Sequence, residues 1–166
     1  MREVDLYRRW ARYNAWMNGR IYALCAGLDD AERRRDRGAF FGSLHSTLNH
    51  LLWGDRAWLD RLSGQATNPG PIGVDLYDSF ADLRSAREEL DRAIQDWADS
   101  LEPADLDGDL TWTSATDGRQ RIHPKRLCIA HLFNHQAHHR GQATTLLSQC
   151  GLDPGVTDLP FMPGFE

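Results

Sequence analysis

Four of the seven histidines fall within nine residues, 131–139, in the string HLFNHQAHHRGQ. An imidazole that is neutral near pH 7 offers a nitrogen lone pair to a divalent transition metal, so a dense histidine string raises the question of a metal site. At about 100° per residue, Cys128, Leu132, His135, His139, Gln142 and Leu146 fall within roughly 40° of one line along a helix. His135 and His139 therefore face inward together, the HxxxH spacing at which two imidazoles can converge on one ion. A lone inward histidine is most simply a core residue satisfied by hydrogen bonds. Two neutral imidazoles side by side must both be satisfied, and one cation would serve them together. His131 and His138 lie off this stripe and are expected at the surface or behind the ligands.

Two ligands hold a divalent ion weakly, and a third must come from another helix. The region near position 50 offers His45 and His50. By periodicity His45 lies nearer the leucine stripe, whereas His50 shares a side with Trp53 and Ala57, so the helical wheel alone does not choose His50. Asp55 is a further candidate, although beside Arg56 it is more simply half of a surface ion pair. Gln142, one turn beyond His139, could orient a ligand. Arg140 could attract an anion or pair with an acid, and Asn14 and Asn18 could join the site from the first helix.

The elements that must position these groups read as helices. Four stretches repeat apolar residues at intervals of three and four: about 3–28, about 40–62, one opening near Ser79, and about 124–150. Asp82, three residues after Ser79, makes a weak capping-box start. The segment SGQATNPGPIGVD after the second helix is too rich in glycine and proline for regular structure. It reads as a long crossover, so the helices need not run up-down-up-down. Before the last helix, DLTWTSATDGRQRIH reads as two short strands around Asp117 and Gly118, a hairpin that must pack on the helices or on a partner chain. The fold class expected is all-α, a four-helix bundle with a crossover between helices 2 and 3 and a short hairpin before helix 4. The residues 151–166, with three prolines and the apolar Leu159, Phe161 and Met162, should lie against the body without being helical.

At 166 residues the chain fits one domain, 1–166, and six Trp and six Phe supply a core. A net charge of -5 and a single lysine, Lys125, argue against nucleic acid as a partner. The run Arg33, Arg34, Arg35, Asp36, Arg37 reads as a solvated connector. No apolar run reaches signal-peptide or membrane-spanning length, so neither export nor a membrane partner is expected, and the cytoplasm is. Cys25, Cys128 and Cys150, odd in number and widely spaced, suit reduced thiols.

The string NHQAHHRGQ at 134–142, LHSTLNHLLWGDRAWL at 44–59, YNAWMNGRIY at 13–22 and the ending GLDPGVTDLP together resemble the DinB-like family of metal-dependent proteins. That resemblance spans nearly the whole chain. It implies a four-helix bundle with a crossover, commonly a homodimer, holding nickel, zinc or a similar ion on three histidines. Carried over, those ligands fall on His50, His135 and His139, which decides between His50 and His45; Gln142, His138 and Asn14 are expected behind them from their own helix positions, since the resemblance carries over no pocket residue beyond the ligands. Three imidazoles leave a coordination position for water or substrate, as in catalytic zinc sites. Relatives of the fold are linked to transfer reactions of low-molecular-weight thiols such as bacillithiol or mycothiol, which makes a thiol-dependent S-transferase, or a related hydrolase-like activity, the enzymatic expectation. The alternative is a non-catalytic metal or small-ligand binding protein made under stress.

Overall fold

A computed structural model describes residues 1–65, 70–114 and 117–164. Among them are the helices α1 (Glu3–Ala26), α2 (Asp30–Arg34), α3 (Leu44–Leu62), α4 (Phe80–Ser100) and α5 (Lys125–Gln149). An antiparallel hairpin of β1 (Asp109–Thr113) and β2 (Gln120–Pro124) precedes α5, with Trp112 opposite Arg121. The protein is mostly helical with one small hairpin, as the apolar periodicity requires. None of the described helices is long and apolar enough to cross a membrane.

Helix α1 packs on α4 and α5, and α3 packs on α5 and α4. Between them lie Met17 and Ile21 of α1, Leu44, Leu48 and Leu52 of α3, Leu83 and Ile94 of α4, and Ile129, Leu132 and Leu147 of α5, all buried. Each such side chain removed from water contributes about 2 kcal/mol, which drives the helices together and fixes their rotation. Ser79 caps α4 by accepting from the Asp82 amide, as its spacing predicts. Helix α3 starts later than periodicity suggests, at Leu44, because Ser43 caps it through the Ser46 amide. The preceding residues 39–42 form a tight turn, closed by Ala39 and Gly42, that carries Phe41.

The arginine run is more than a solvated connector. Its first members belong to α2, capped by Asp29, and Arg33 donates to the Cys25 and Leu28 carbonyls at the end of α1. Polar-rich windows with no apolar stripe give no periodic signal for a one-turn helix of this kind.

Of the long connection after α3, Ala66, Thr67, Asn68 and Pro69 lie outside the described residues, as do Ala115 and Thr116 of the hairpin loop. The described part of the connection is stitched to α3. Trp53 Nε1 donates to the Gly70 carbonyl at 3.0 Å, and Asn49 both accepts from the Tyr77 amide (2.9 Å) and donates to the Tyr77 carbonyl (3.1 Å). The hairpin rests on α3 through Trp112, edge to face with Trp58 at 5.2 Å between ring centres. The C-terminal residues run along α1, with one short 3-10 turn at Leu159–Phe161 and Met162 buried. There the Tyr13 hydroxyl donates to the Thr157 carbonyl, and Arg20 donates to the Val156 and Pro154 carbonyls.

Candidate metal centre

Helices α3 and α5 run antiparallel along a shared seam: His50 meets His139, Gly54 meets His135, and Trp58 meets His131. The ring centres of His50, His135 and His139 lie 5.4, 4.5 and 4.4 Å apart, and one nitrogen from each falls within 4.8 Å of the others. These three residues are a group able to hold a metal ion.

Their protonation suits that task. Burial, reinforced by the neighbouring His139, pushes His50 down to about 4. Burial and the other imidazoles push His135 down to about 3, and burial lowers His139 as well. All three rings are thus neutral at physiological pH, with lone pairs available. His139 Nδ1 lies 2.8 Å from Gln142 Oε1; an amide oxygen accepts only from N–H, so Nδ1 carries the proton and Nε2 the lone pair. The Nδ1 atoms of His50 and His135 are buried without a hydrogen-bond partner among the described residues. Buried imidazoles that converge with hydrogen-bonding capacity unused are what a cation would satisfy.

The surroundings hold the rings in place. Phe41 stacks on His50 with 3.9 Å between centres, and Trp53 lies near-parallel to it at 5.7 Å. Gly54 lets His135 press against α3: a Cβ there would meet the ring carbon Cε1 at 2.5 Å, far inside contact distance. Reading residue types for chemistry misses Gly54, although a glycine one turn after His50 inside a helix was a visible signal.

Not every expected site residue joins the cluster. Gln142 does, through His139. His138 is exposed, its ring 4.8 Å from that of His139 and its Nε2 3.4 Å from Gln142 Nε2. His131 is exposed one turn before His135, with 5.8 Å between ring centres. His45 is fully buried but bonds the Tyr77 carbonyl at 3.0 Å instead.

Asn14, Asn18, Asp55 and Arg140 belong to a different cluster. Asp55 is no surface partner of Arg56: it is fully buried and accepts from Arg87 at 2.6 Å. Arg87 also pairs with Asp91 at 2.9 Å. Asp91 accepts from Asn14 and Asn18, each at 2.9 Å, and Asn14 in turn accepts from the buried Arg140. Asn14 therefore stands behind an ion-pair network in the core and not behind the histidines, and Arg140 is neither an exposed pair nor a free anion trap. The signal for this network was present: Asp55 sits four residues from both Leu51 and Leu59, and Arg87 four from Leu83, on apolar stripes where a charge must find a buried partner.

With fold and geometry in hand, the family follows from comparison. The DinB family model matches residues 2–165. The chain belongs to the DinB family. Among curated proteins it is similar to Protein DinB of Bacillus subtilis (strain 168), 23% identical over 159 residues that cover 88% of this chain and 87% of that protein. The histidine cluster of this DinB family member lies inside the matched region, on the two helices that contribute most of its seam.

Proposed function

We propose that this DinB family protein binds one divalent ion, nickel or zinc, through His50, His135 and His139 and uses it in a thiol-dependent S-transfer reaction. The observation that carries the reading is the convergence of three neutral imidazole nitrogens within 4.8 Å, two of the rings with an orphaned buried Nδ1. Three such ligands leave room for a further donor, the arrangement of a site that does chemistry more than of one that only staples a fold. A divalent ion held there would act as a Lewis acid, favouring the thiolate of a bound thiol at neutral pH. The protein's own groups bind and orient: Gln142 fixes the His139 tautomer, Gly54 admits the His135 ring, and Phe41 shields one face of His50 from water.

Around this centre the proposal includes a single domain, 1–166, built as a four-helix bundle of α1, α3, α4 and α5 with the connection between α3 and α4 as crossover. It also includes a cytoplasmic homodimer, for which sedimentation should give twice the chain mass. The deciding experiment is elemental analysis of tag-free protein beside His50→Ala, His135→Ala and His139→Ala. About one ion per chain, lost in each variant, supports the site. Saturable, metal-dependent consumption of a model electrophile with a low-molecular-weight thiol then supports S-transfer. A large thermal shift on metal addition without turnover across a thiol panel would make the protein a binder instead of an enzyme.

A further inference from the structure

The α3–α5 seam does not end at the histidines. Below His135 the exposed His131 packs on Trp58 at 4.6 Å between ring centres, and Trp112 of β1 closes on Trp58 from the hairpin. At the end of this aromatic wall stands Arg61. Its guanidinium carbon lies 4.9 Å from the Trp58 ring centre and 5.9 Å from that of Trp112. Arg61 is only half-buried, its guanidinium lies against these two indole faces, and among the described residues it closes no ion pair, although the Asp60 carboxylate beside it in α3 is near enough to be felt electrostatically. Most other half-buried or buried arginines here are answered by an acid or a carbonyl: Arg87 by Asp55, Arg37 by Glu32, Arg33 by the end of α1.

We infer that the Trp58, Trp112, His131 and Arg61 shelf is the subsite for the anionic end of an extended ligand whose other end reaches the three histidines, so that Arg61 selects a carboxylate-bearing substrate. The inference rests on the metal-site reading above. An arginine laid over indoles keeps its N–H edge free while its face is held, which prepares it to take a carboxylate with two parallel hydrogen bonds. The axial rise of α3 between the level of the histidines and the Trp58 turn sets the ligand's length: the sulfur and the carboxylate should stand roughly 10 Å apart. The wall between them is aromatic, which suits an apolar or planar linker.

The test uses cobalt-loaded protein and a series of ω-mercaptocarboxylic acids of increasing chain length, each beside the mercaptoalcohol of equal length. Thiolate-to-cobalt charge-transfer absorption reports sulfur binding. The acids should bind about tenfold tighter than the alcohols, a charge-assisted hydrogen bond's worth. That preference should peak at an intermediate length and vanish in Arg61→Gln, with Arg61→Lys retaining part of it. Metal content and far-ultraviolet circular dichroism of Arg61→Gln should match the wild type, separating lost recognition from lost folding. Equal affinity for acids and alcohols, a preference that survives Arg61→Gln, or no thiol binding by cobalt-loaded protein would overturn the shelf while leaving the ion site standing. A chain that takes up no metal would overturn both.

Discussion

At the α3–α5 seam, three imidazoles of one kind point their nitrogens at a common space and leave hydrogen-bonding capacity unused. In the core, Asp55, Arg87, Asp91, Asn14, Asn18 and Arg140 are also withdrawn from water, yet they bond chiefly to one another. The two regions abut, for Gly54 serves the first and Asp55, the next residue of α3, serves the second. Opposite charges answer one another as ion pairs even where Asp55 Oδ1 and Arg87 Nε make no hydrogen bond of their own; like, neutral lone-pair donors have no such attraction, and so call for something from outside. The difference teaches where to look for ligand chemistry: in the cluster whose parts cannot satisfy each other.

Breaking the core network should have the largest effect on folding. Asp55→Ala leaves the buried Arg87 guanidinium with Asp91 alone and should cost about 3–5 kcal/mol in denaturant unfolding, whereas Asp55→Leu combined with Arg87→Met should recover part of that loss, Asp91 keeping its Asn14 and Asn18 donors. Recovery would confirm that the network is structural; a double variant as unstable as the single one would assign it a further task. Next in size is Gly54→Ala, in which the His135 ring must retreat by about 1 Å to regain ordinary contact with α3. Stoichiometric ion binding should disappear while circular dichroism stays helical, and an unchanged ion content would show that His135 is not needed. Gln142→Leu removes the acceptor that sets the His139 tautomer and should lower ion affinity about 10–100-fold, read by competition with a chromophoric chelator.

The smallest effect contrasts the two regions by pH. His50 and His135, depressed to about 4 and about 3 in the folded chain, stay neutral where unfolded imidazoles take up protons near 6.5, so their contribution is lost as pH falls below that value. Burial pushes Asp55 up to about 6, so its cost is incurred as pH rises through 6 and eases as pH falls, the opposite sense. The metal-free protein should therefore lose only about 1–2 kcal/mol between about pH 7 and about pH 5 by urea unfolding. His135→Leu should flatten or reverse that slope; an unaltered slope would show that the seam is not its source.

Much of this was legible in the chain. Leucine spacing announced the long helices, Ser79 the start of α4, and Asp117 with Gly118 the hairpin. The spacing of His135 and His139 put them on one face without any outside help. His50 was different: periodicity favoured His45, because a wheel ranks residues by the apolar stripe, and the histidine-facing seam of α3 is a second stripe lined by Trp53 and Gly54. The family resemblance made that choice. The core network was missed for a physical reason, since a charge beside another charge reads as surface unless its place four residues from two leucines is weighed more heavily.

Between the packed side chains of Leu152 and Met162, the stretch 154–157 is held to α1 through its backbone. Tyr13 and Arg20 bind carbonyl oxygens of Thr157, Val156 and Pro154, groups that every amino acid carries. Gly155 is the exception, with φ +68° and a Cβ direction filled by the Arg20 guanidinium. This latch recognises a path and one glycine, so side-chain changes at positions 154, 156 and 157 that keep the backbone path leave its three hydrogen bonds intact.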